Sequence, residues 1–434
     1  MEHGPISTGY PFSFREEDVK HLADHLIHRH SIVLIGMKRV GISNFLRFFL
    51  NNREVAKTYF NDSKKHFFIP VYLNDLVECE IAPFWTLVLK RIVDFVDGSN
   101  VNEKTKNEIK DLFLESIQLQ DLFFTIDSVR TSIKKISEQG YLPTLFFIRF
   151  DRLKDAVTPE FFVNLEGLRD ASHQQLSYVF TSYLPFKKLF PVVFSQAMLS
   201  IPYRNVFIKP MGQKDAKFVL DAYKKHYDLE LSKELEKELL YLSGGHFQYL
   251  QLGLILLHEP RKSIGTKEEI FKYLTSDERV RLQSEELWEN LDKEKQGLLL
   301  KLIKNQEISA NEKKSNEYLW VSGFVKTEHG KTVIFNPLFE YFVKQREKEE
   351  TKENGAEFSK KELLFFEYLQ KNKNQICERE RIIEEVWPEA EELGISDWAI
   401  DKLAGRVRNK LKMQDNKLEL QTIKTRGYKL AENT

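Results

Sequence analysis

Over its first half the chain alternates short apolar runs with amphipathic stretches. The runs at 31–35 (SIVLI), 67–73 (FFIPVYL), 145–150 (LFFIRF), 178–182 (YVFTS) and 206–209 (VFIK) are strand-length and rich in β-branched or aromatic residues, as strands buried in a sheet require. Pro70 removes a ladder donor from the second run and predicts an edge strand there. Between the runs, Phe45, Leu46, Phe48 and Phe49, and the segment 109–136, recur at helical spacing. Strands alternating with helices predict a parallel sheet covered on both faces.

From 212 to 257 the pattern turns helical, with a break at Gly244 and Gly245. Residues 288–343 predict helices and then two short strands turning at His329-Gly330, the outline of a small winged helix. The stretch 344–357 (KQREKEETKENGAE) holds no large apolar side chain, so it predicts a linker or a solvated helix extension. Beyond it Ser359-Lys-Lys-Glu362 forms a capping box, followed by Leu363, Leu364, Phe366 and Leu369 at helical spacing. Residues 377–387 predict a second, short helix ended by Pro388. Ser396 is the expected N-cap of a third helix reaching Lys412, with Ile400, Leu403, Ala404, Val407 and Leu411 as its buried stripe. Residues 418–430 alternate around Thr425-Arg426-Gly427 and predict a hairpin.

A length of 434 residues implies about two to four domains. With 42% hydrophobic and 30% charged residues the chain is globular in composition. Its N-terminus, MEHGPISTGYPFSF, lacks the charged and apolar regions of a secretory signal, and no run approaches membrane-spanning length. A cytoplasmic protein without a membrane partner is expected. Cys79 and Cys377 lie far apart and beside no histidine cluster, so both are expected to be packing residues rather than a disulfide or zinc site. The 65 basic and 65 acidic residues cancel, leaving only local charge to inform. From 396 to 430 nine basic residues face four acidic ones, the footprint of a phosphate-binding face or, more plainly, a solvated helix face.

Directly after the first predicted strand, Gly36-Met-Lys-Arg-Val-Gly41-Ile42-Ser43 opens an amphipathic helix. This is the skeleton of a phosphate-binding loop in its required context. Its glycines let backbone amides turn inward as an anion nest, and the helix N-terminus adds partial positive charge. Ser43 stands where a hydroxyl meets magnesium, but Ile42 stands where a lysine neutralises the terminal phosphates. Asp151, after the run at 145–150, is the second candidate magnesium ligand. Arg152 follows it where an active hydrolase carries a glutamate. Thr181, with Ser182, occupies the place of a polar sensor residue, although strand-end hydroxyls are also common structural caps. Three readings stay open: a loop kept for the fold alone, a site that binds nucleotide without efficient turnover, or one in which Lys38 reaches the phosphates in place of the missing lysine. The cofactor implied is ATP or ADP with magnesium, and efficient hydrolysis is not expected.

These motifs resemble those of the AAA+ and STAND ATPases and, more loosely, the origin-recognition ATPases. Phe14-Arg15-Glu16 resembles the adenine-side box, which places Arg15 at the nucleotide. Residues 206–220 (VFIKPMGQKDAKFVL) resemble the entry to the lid. Leu242-Ser-Gly-Gly-His246-Phe resembles a lid segment in which Phe247 replaces a proline. His246 is then a ligand contact or, as for most lone histidines after a glycine pair, a packing or hinge residue. The resemblance spans roughly residues 10–345 and implies a nucleotide-switch module, with departures at Ile42 and Arg152.

The C-terminal residues resemble the effector domain of OmpR/PhoB-type response regulators. The matches run through Phe358-Ser-Lys-Lys-Glu362, Arg379-Glu380, Val386-Trp387, Arg406-Val-Arg-Asn-Lys-Leu411, and Gln421-Thr-Ile-Lys424 to Gly427-Tyr-Lys-Leu430. No receiver domain precedes them and Thr425 replaces the first wing glycine, so phosphorelay control is not implied. Helical geometry turns Trp398, Lys402, Gly405, Arg406 and Asn409 away from the buried stripe, as a helix entering the major groove would have them. The resemblance implies Arg406 as base reader, Asp401 and Lys402 as its neighbours, and Arg408 and Lys410 as phosphate contacts. Thr422, Lys424 and Arg426 are the wing candidates. Gly405 weakens the helix, which fits either close backbone approach to DNA or a packing notch.

The expected fold class is an α/β P-loop NTPase core with a helical lid, followed by two winged-helix (α+β) domains. The expected boundaries are 1–210 for the core, 211–284 for the lid, 285–345 for an internal winged helix, 346–357 for a charged linker and 358–434 for the DNA-binding winged helix. The expected function is a DNA-binding regulator or adaptor acting on transcription or bringing a partner to double-stranded DNA, with protein contacts or self-association through the core. The alternatives are a DNA-stimulated ATPase that assembles on DNA, as origin-recognition or transposition regulators do, and an anti-phage defence sensor.

Overall fold

The computed structural model describes residues 9–60, 65–196, 203–259, 266–328, 330–350, 358–388, 395, 397–413, 418–423 and 426–432. The chain forms two compact units. The first comprises residues 1–232 with 244–254 and 318–324, and the second 233–243, 255–317 and 325–434.

The first unit is built on a five-stranded parallel sheet of β1 (Ser31–Ile35), β2 (His66–Tyr72), β3 (Leu142–Ile148), β4 (Ser177–Ser182) and β5 (Tyr203–Phe207), ordered β2-β3-β4-β1-β5. All five predicted strands are present. Every residue of β1 and β4 is buried, which is why the apolar stretches 32–35 and 178–180 run without alternation. Pro70 sits in the edge strand, opposite Phe146 of β3, where its missing N–H costs no ladder bond. The helical stretch 109–136 divides into two helices, Glu103–Leu119 and Leu122–Glu138. Asp121 separates them, its side chain accepting from the Phe124 N–H at 2.6 Å as an N-cap does. Beneath the sheet Phe147, Phe150, Phe161, Phe180 and Phe186 pack ring against ring at 4.9–5.8 Å between centroids. The break at Gly244 and Gly245 falls between helices 233–243 and 247–258, both glycines at positive φ.

In the second unit, α1 (Glu278–Glu289) is capped by Asp277, and helices 293–303 and 310–315 precede the hairpin of β6 (Val325–Glu328) and β7 (Lys331–Ile334). Val325 pairs with Ile334 and Glu328 with Lys331; of the predicted turn residues Gly330 has positive φ, and His329 lies outside the described residues. The helix Pro337–Glu350 runs through the polar stretch, so residues 344–350 are a helix extension. Residues 351–357 lie outside the described residues.

The C-terminal domain consists of α2 (Lys360–Lys371), β8 (Cys377–Glu378), α3 (Arg379–Val386), α4 (Asp397–Met413), β9 (Leu418–Ile423) and β10 (Gly427–Glu432), with its sheet ordered β8-β10-β9. The capping box at Ser359 and Glu362 is formed. Three details differ from expectation. First, the inward stripe of α2 is Glu362, Phe365 and Leu369, whereas Leu363 and Leu364 are exposed. The box holds Glu362 inward, and helical spacing then carries 365 and 369 with it. Second, residues 377–378 form a strand instead of starting a helix, with Cys377 opposite Tyr428. This pairing needs Gly427, since a Cβ there would lie 2.0 Å from the Cys377 carbonyl oxygen. Third, only Cys377 is a packing residue; Cys79 is exposed. Ile400, Leu403, Ala404, Val407 and Leu411 are buried as expected, together with Leu282 of α1. Ser396, Lys424 and Thr425 lie outside the described residues. No described helix is long and apolar enough to cross a membrane.

Candidate functional site

The carboxyl ends of β1, β4 and β3 bring the sequence-predicted nucleotide residues together. The Gly36 N–H donates to the Ser182 carbonyl at 3.2 Å, which seats the loop against the end of β4. Gly41 has φ 109° and a Cβ there would stand 2.9 Å from Cβ of Phe247, so only glycine fits. Ile42, where the lysine is missing, packs back across the loop, its Cδ1 3.1 Å from where a Cβ on Gly36 would stand. Ser43 follows in the first turn of the helix 42–51.

The charged groups at this place already have partners. The Lys38 ammonium lies 3.1 Å from Asp151 Oδ2 and 3.9 Å from the centroid of the Tyr183 ring, so it both neutralises the acid and stacks on an aromatic face. Asp151 stands in a short 3₁₀ turn, three residues beyond the end of β3, and is only 8% exposed. Arg149 Nε is 3.9 Å from its other oxygen. Thr181 Oγ1 accepts the Arg149 N–H at 2.7 Å, the work of a structural cap. Arg15 is buried. Its N–H donates to Asp215 Oδ1 at 3.0 Å, and its guanidinium to Asp18 at 2.7 Å and to the Lys209 carbonyl at 3.1 Å.

His246 braces the loop from below. It is completely buried, and Nε2 lies 3.0 Å from the Lys38 carbonyl. Because a carbonyl only accepts, Nε2 carries the proton. Burial pushes the imidazole down to about 3 against a smaller opposing effect of that hydrogen bond, so the ring is neutral.

The DNA candidates gather on and beside α4. Lys402 pairs with Glu289 and Arg406 with Glu285, both acids on α1. Arg406 Nε also meets Glu362 Oε1 at 3.1 Å, and Lys410 meets Glu362 Oε2 at 2.8 Å. Glu285 is 3% exposed and Glu362 4%. Burial pushes the Glu362 carboxyl up, but Lys410, the Ser359 N–H and Arg406 together hold it below the usual carboxylate value. Arg408 donates to the Leu420 carbonyl at 2.9 Å and to Thr422 Oγ1 at 2.8 Å, tying α4 to β9. Asp401 accepts from Arg379 at 2.6 Å and from the Tyr428 hydroxyl, tying the start of α4 to β10. Trp398 is half-buried against the core. Arg426 is exposed in the turn, 3.5 Å from Glu378. A Cβ on Gly405 would meet nothing within 4 Å, so no packing notch explains this glycine.

Glu285, Glu289, Glu362, Arg379 and Tyr428 were not singled out as site residues. The signal for the first two was available: Glu278, Leu282, Glu285 and Glu289 recur at helical spacing and form one acidic stripe with a single leucine in it. Among the described residues no three metal-binding side chains converge.

Residues 352–430 match the family described as transcriptional regulatory protein, C terminal. Structural relatives include the Walker-type ATPase PABY2304 of Pyrococcus abyssi, at 15% identity and TM-score 0.48 over 78% of this chain and 100% of that one. They also include the Aeropyrum pernix ORC2 protein in ADPNP–ADP complexes, at 12% identity and TM-score 0.44 over 81% and 97%. A third is the Aeropyrum pernix ORC1 protein in complex with DNA, at 10% identity and TM-score 0.43 over 99% and 92%. Among curated proteins no sequence matches the chain.

Proposed function

We propose that this protein is a DNA-binding regulator or adaptor, a P-loop NTPase-type core fused to a C-terminal winged helix, acting in transcription control or in bringing a partner to DNA. The observation that carries this reading is α4. It lies within the segment that matches the regulatory family, buries Ile400, Leu403, Ala404 and Val407, and turns Lys402, Gly405, Arg406 and Asn409 the other way. A helix so mounted presents its outer face to a groove, while β9 and β10 supply the wing. Arg406 is assigned as base reader, Lys402 and Lys410 as phosphate contacts, and Arg426 as the described wing cation. Asp401, Arg408 and Thr422 hold this frame in shape. Capture of genomic DNA by the full chain, followed by sequencing, tests the reading. Enriched promoter-proximal sites are expected, and equal recovery of DNA by a Lys402, Arg406 and Lys410 triple alanine variant would refute it.

The helix order of 293–315 followed by the hairpin 325–334 supports an internal winged helix over 285–345, and residues 211–284 are assigned as the lid. The core is assigned as a nucleotide module without efficient turnover. Its backbone nest suits an anion, but the residues present do not fit a magnesium–triphosphate: Lys38 already neutralises Asp151, and Ile42 covers the loop where the phosphate clamp would rise. Calorimetry and steady-state assays with ATP and magnesium should give weak binding and background turnover. Ile42→Lys should tighten binding by about 1.5 to 3 kcal/mol, the worth of a charge-assisted contact. Fast turnover stimulated by DNA in the unaltered protein would instead make it an active ATPase that assembles on DNA.

A further inference from the structure

We propose that α1 is an intramolecular competitor of DNA, whose acidic stripe occupies the cations of α4 that phosphates and bases would otherwise take. This inference rests on the DNA-reading function assigned above to α4.

Four residues of α1 at successive helical turns touch the winged helix. Glu278 accepts from Trp387 Nε1 at 3.4 Å, Leu282 enters the winged-helix core, Glu285 pairs with Arg406 and Glu289 with Lys402. The two ion pairs are matched in spacing and opposite in sense. Glu285 and Glu289 are four residues apart on one helix, and Arg406 and Lys402 four residues apart on the other, so the helices run antiparallel along the contact. The cations engaged are the ones on the outward stripe. Arg408, which faces the wing, is left to its own domain.

The chemistry of the stripe is that of a phosphate row. Carboxylates one helical turn apart, held about 5 to 6 Å from one another, offer fixed negative charge to the same guanidinium and ammonium groups. A single leucine anchors the stripe in the apolar core, and Glu285 is nearly sealed from water, where charge pairs are screened least by salt. The stripe and a duplex cannot hold Arg406 and Lys402 at once. The competition is therefore direct, and DNA binding requires that α1 leave α4.

Two measurements on the full chain test this. Zero-length carbodiimide coupling should join the Glu289 carboxylate to the Lys402 amine, seen as a linked peptide by mass spectrometry, and excess random-sequence duplex at low salt should suppress that product at least fivefold. In parallel, Glu285→Gln with Glu289→Gln should bind the same duplex at least tenfold more tightly than the unaltered chain. The slope of log affinity against log salt should steepen by about one, near 0.9 for Lys402, the released phosphate contact. Absence of the linked peptide, or its persistence at saturating DNA, would overturn the proposal even if the glutamine variant failed to fold. Equal affinity and equal salt slope in a folded variant would overturn it as well, while leaving DNA reading intact. A linked peptide formed by a protein that binds no duplex in either form would sink the DNA-reading function itself, and the competition with it.

Discussion

The loop after β1 and the outer face of α4 both have their charges neutralised by the chain itself, but in different ways. At the loop the clamp residue is absent: Ile42 stands in its place, and Lys38 is committed to the acid that would hold a metal. At α4 the basic residues are all present, with Lys402 covered by Glu289 of α1 and Arg406 by Glu285 of α1 and Glu362 of α2. A missing side chain is restored only by mutation, whereas an ion pair opens and closes with the equilibrium between two contacts. One region lacks a side chain, and the other has its side chains in ion pairs.

The largest test of this contrast is at the loop. If Lys38 and Asp151 form a structural pair, Asp151→Asn should destabilise the first unit by about 3 kcal/mol, as expected when one partner of a mostly buried pair is removed. Lys38→Met added to it should recover part of that loss. Denaturant unfolding of the full chain reads both, and a neutral Asp151→Asn would show these charges to be free for a ligand.

On α4, Arg406→Ala should lower affinity for a preferred site by about 1 to 3 kcal/mol and relax the sequence preference there. The measurement is made in the Glu285→Gln, Glu289→Gln background, where α1 no longer competes. Mobility shifts over several salt concentrations separate this from Lys410→Ala, which should weaken all sequences alike.

The buried His246 gives a pH test confined to the loop. Its folded value near 3 lies below the ordinary 6.5, so the unfolded chain binds the proton first. Stability is then present above pH 6.5 and is lost as pH falls toward 3. At pH 5.5 the loss relative to pH 8 should be about 1.4 kcal/mol from this residue. His246→Gln, which keeps a donor for the Lys38 carbonyl, should remove that part of the pH dependence. An unchanged pH profile would show that the ring is not sealed.

The smallest effect is expected at Gly405. With open space around it, Gly405→Ala should stabilise the domain by about 1 kcal/mol through helix propensity alone. If the backbone approaches DNA there, the same variant should bind more weakly. Thermal unfolding and DNA titration of one protein therefore give opposite signs, and tighter binding would remove Gly405 from the interface.

What local pattern determines, the sequence determined. The five strands, the edge position of Pro70, the phosphate-loop skeleton, the capping box at Ser359 and the buried stripe of α4 all follow from periodicity and turn chemistry between near neighbours. The loss of the clamp at Ile42 was equally legible, because it is a matter of residue type. The partners were not. That Arg15, Thr181 and Lys38 are spent on Asp215, Arg149 and Asp151, or that Cys377 joins a strand across from Tyr428, depends on residues brought together from distant parts of the chain. The acidic stripe of α1 could be read from helical spacing, but its meaning could not. Carboxylates on a helix face are ordinarily solvated, and only the tertiary structure decides that these meet Arg406 and Lys402 instead of water.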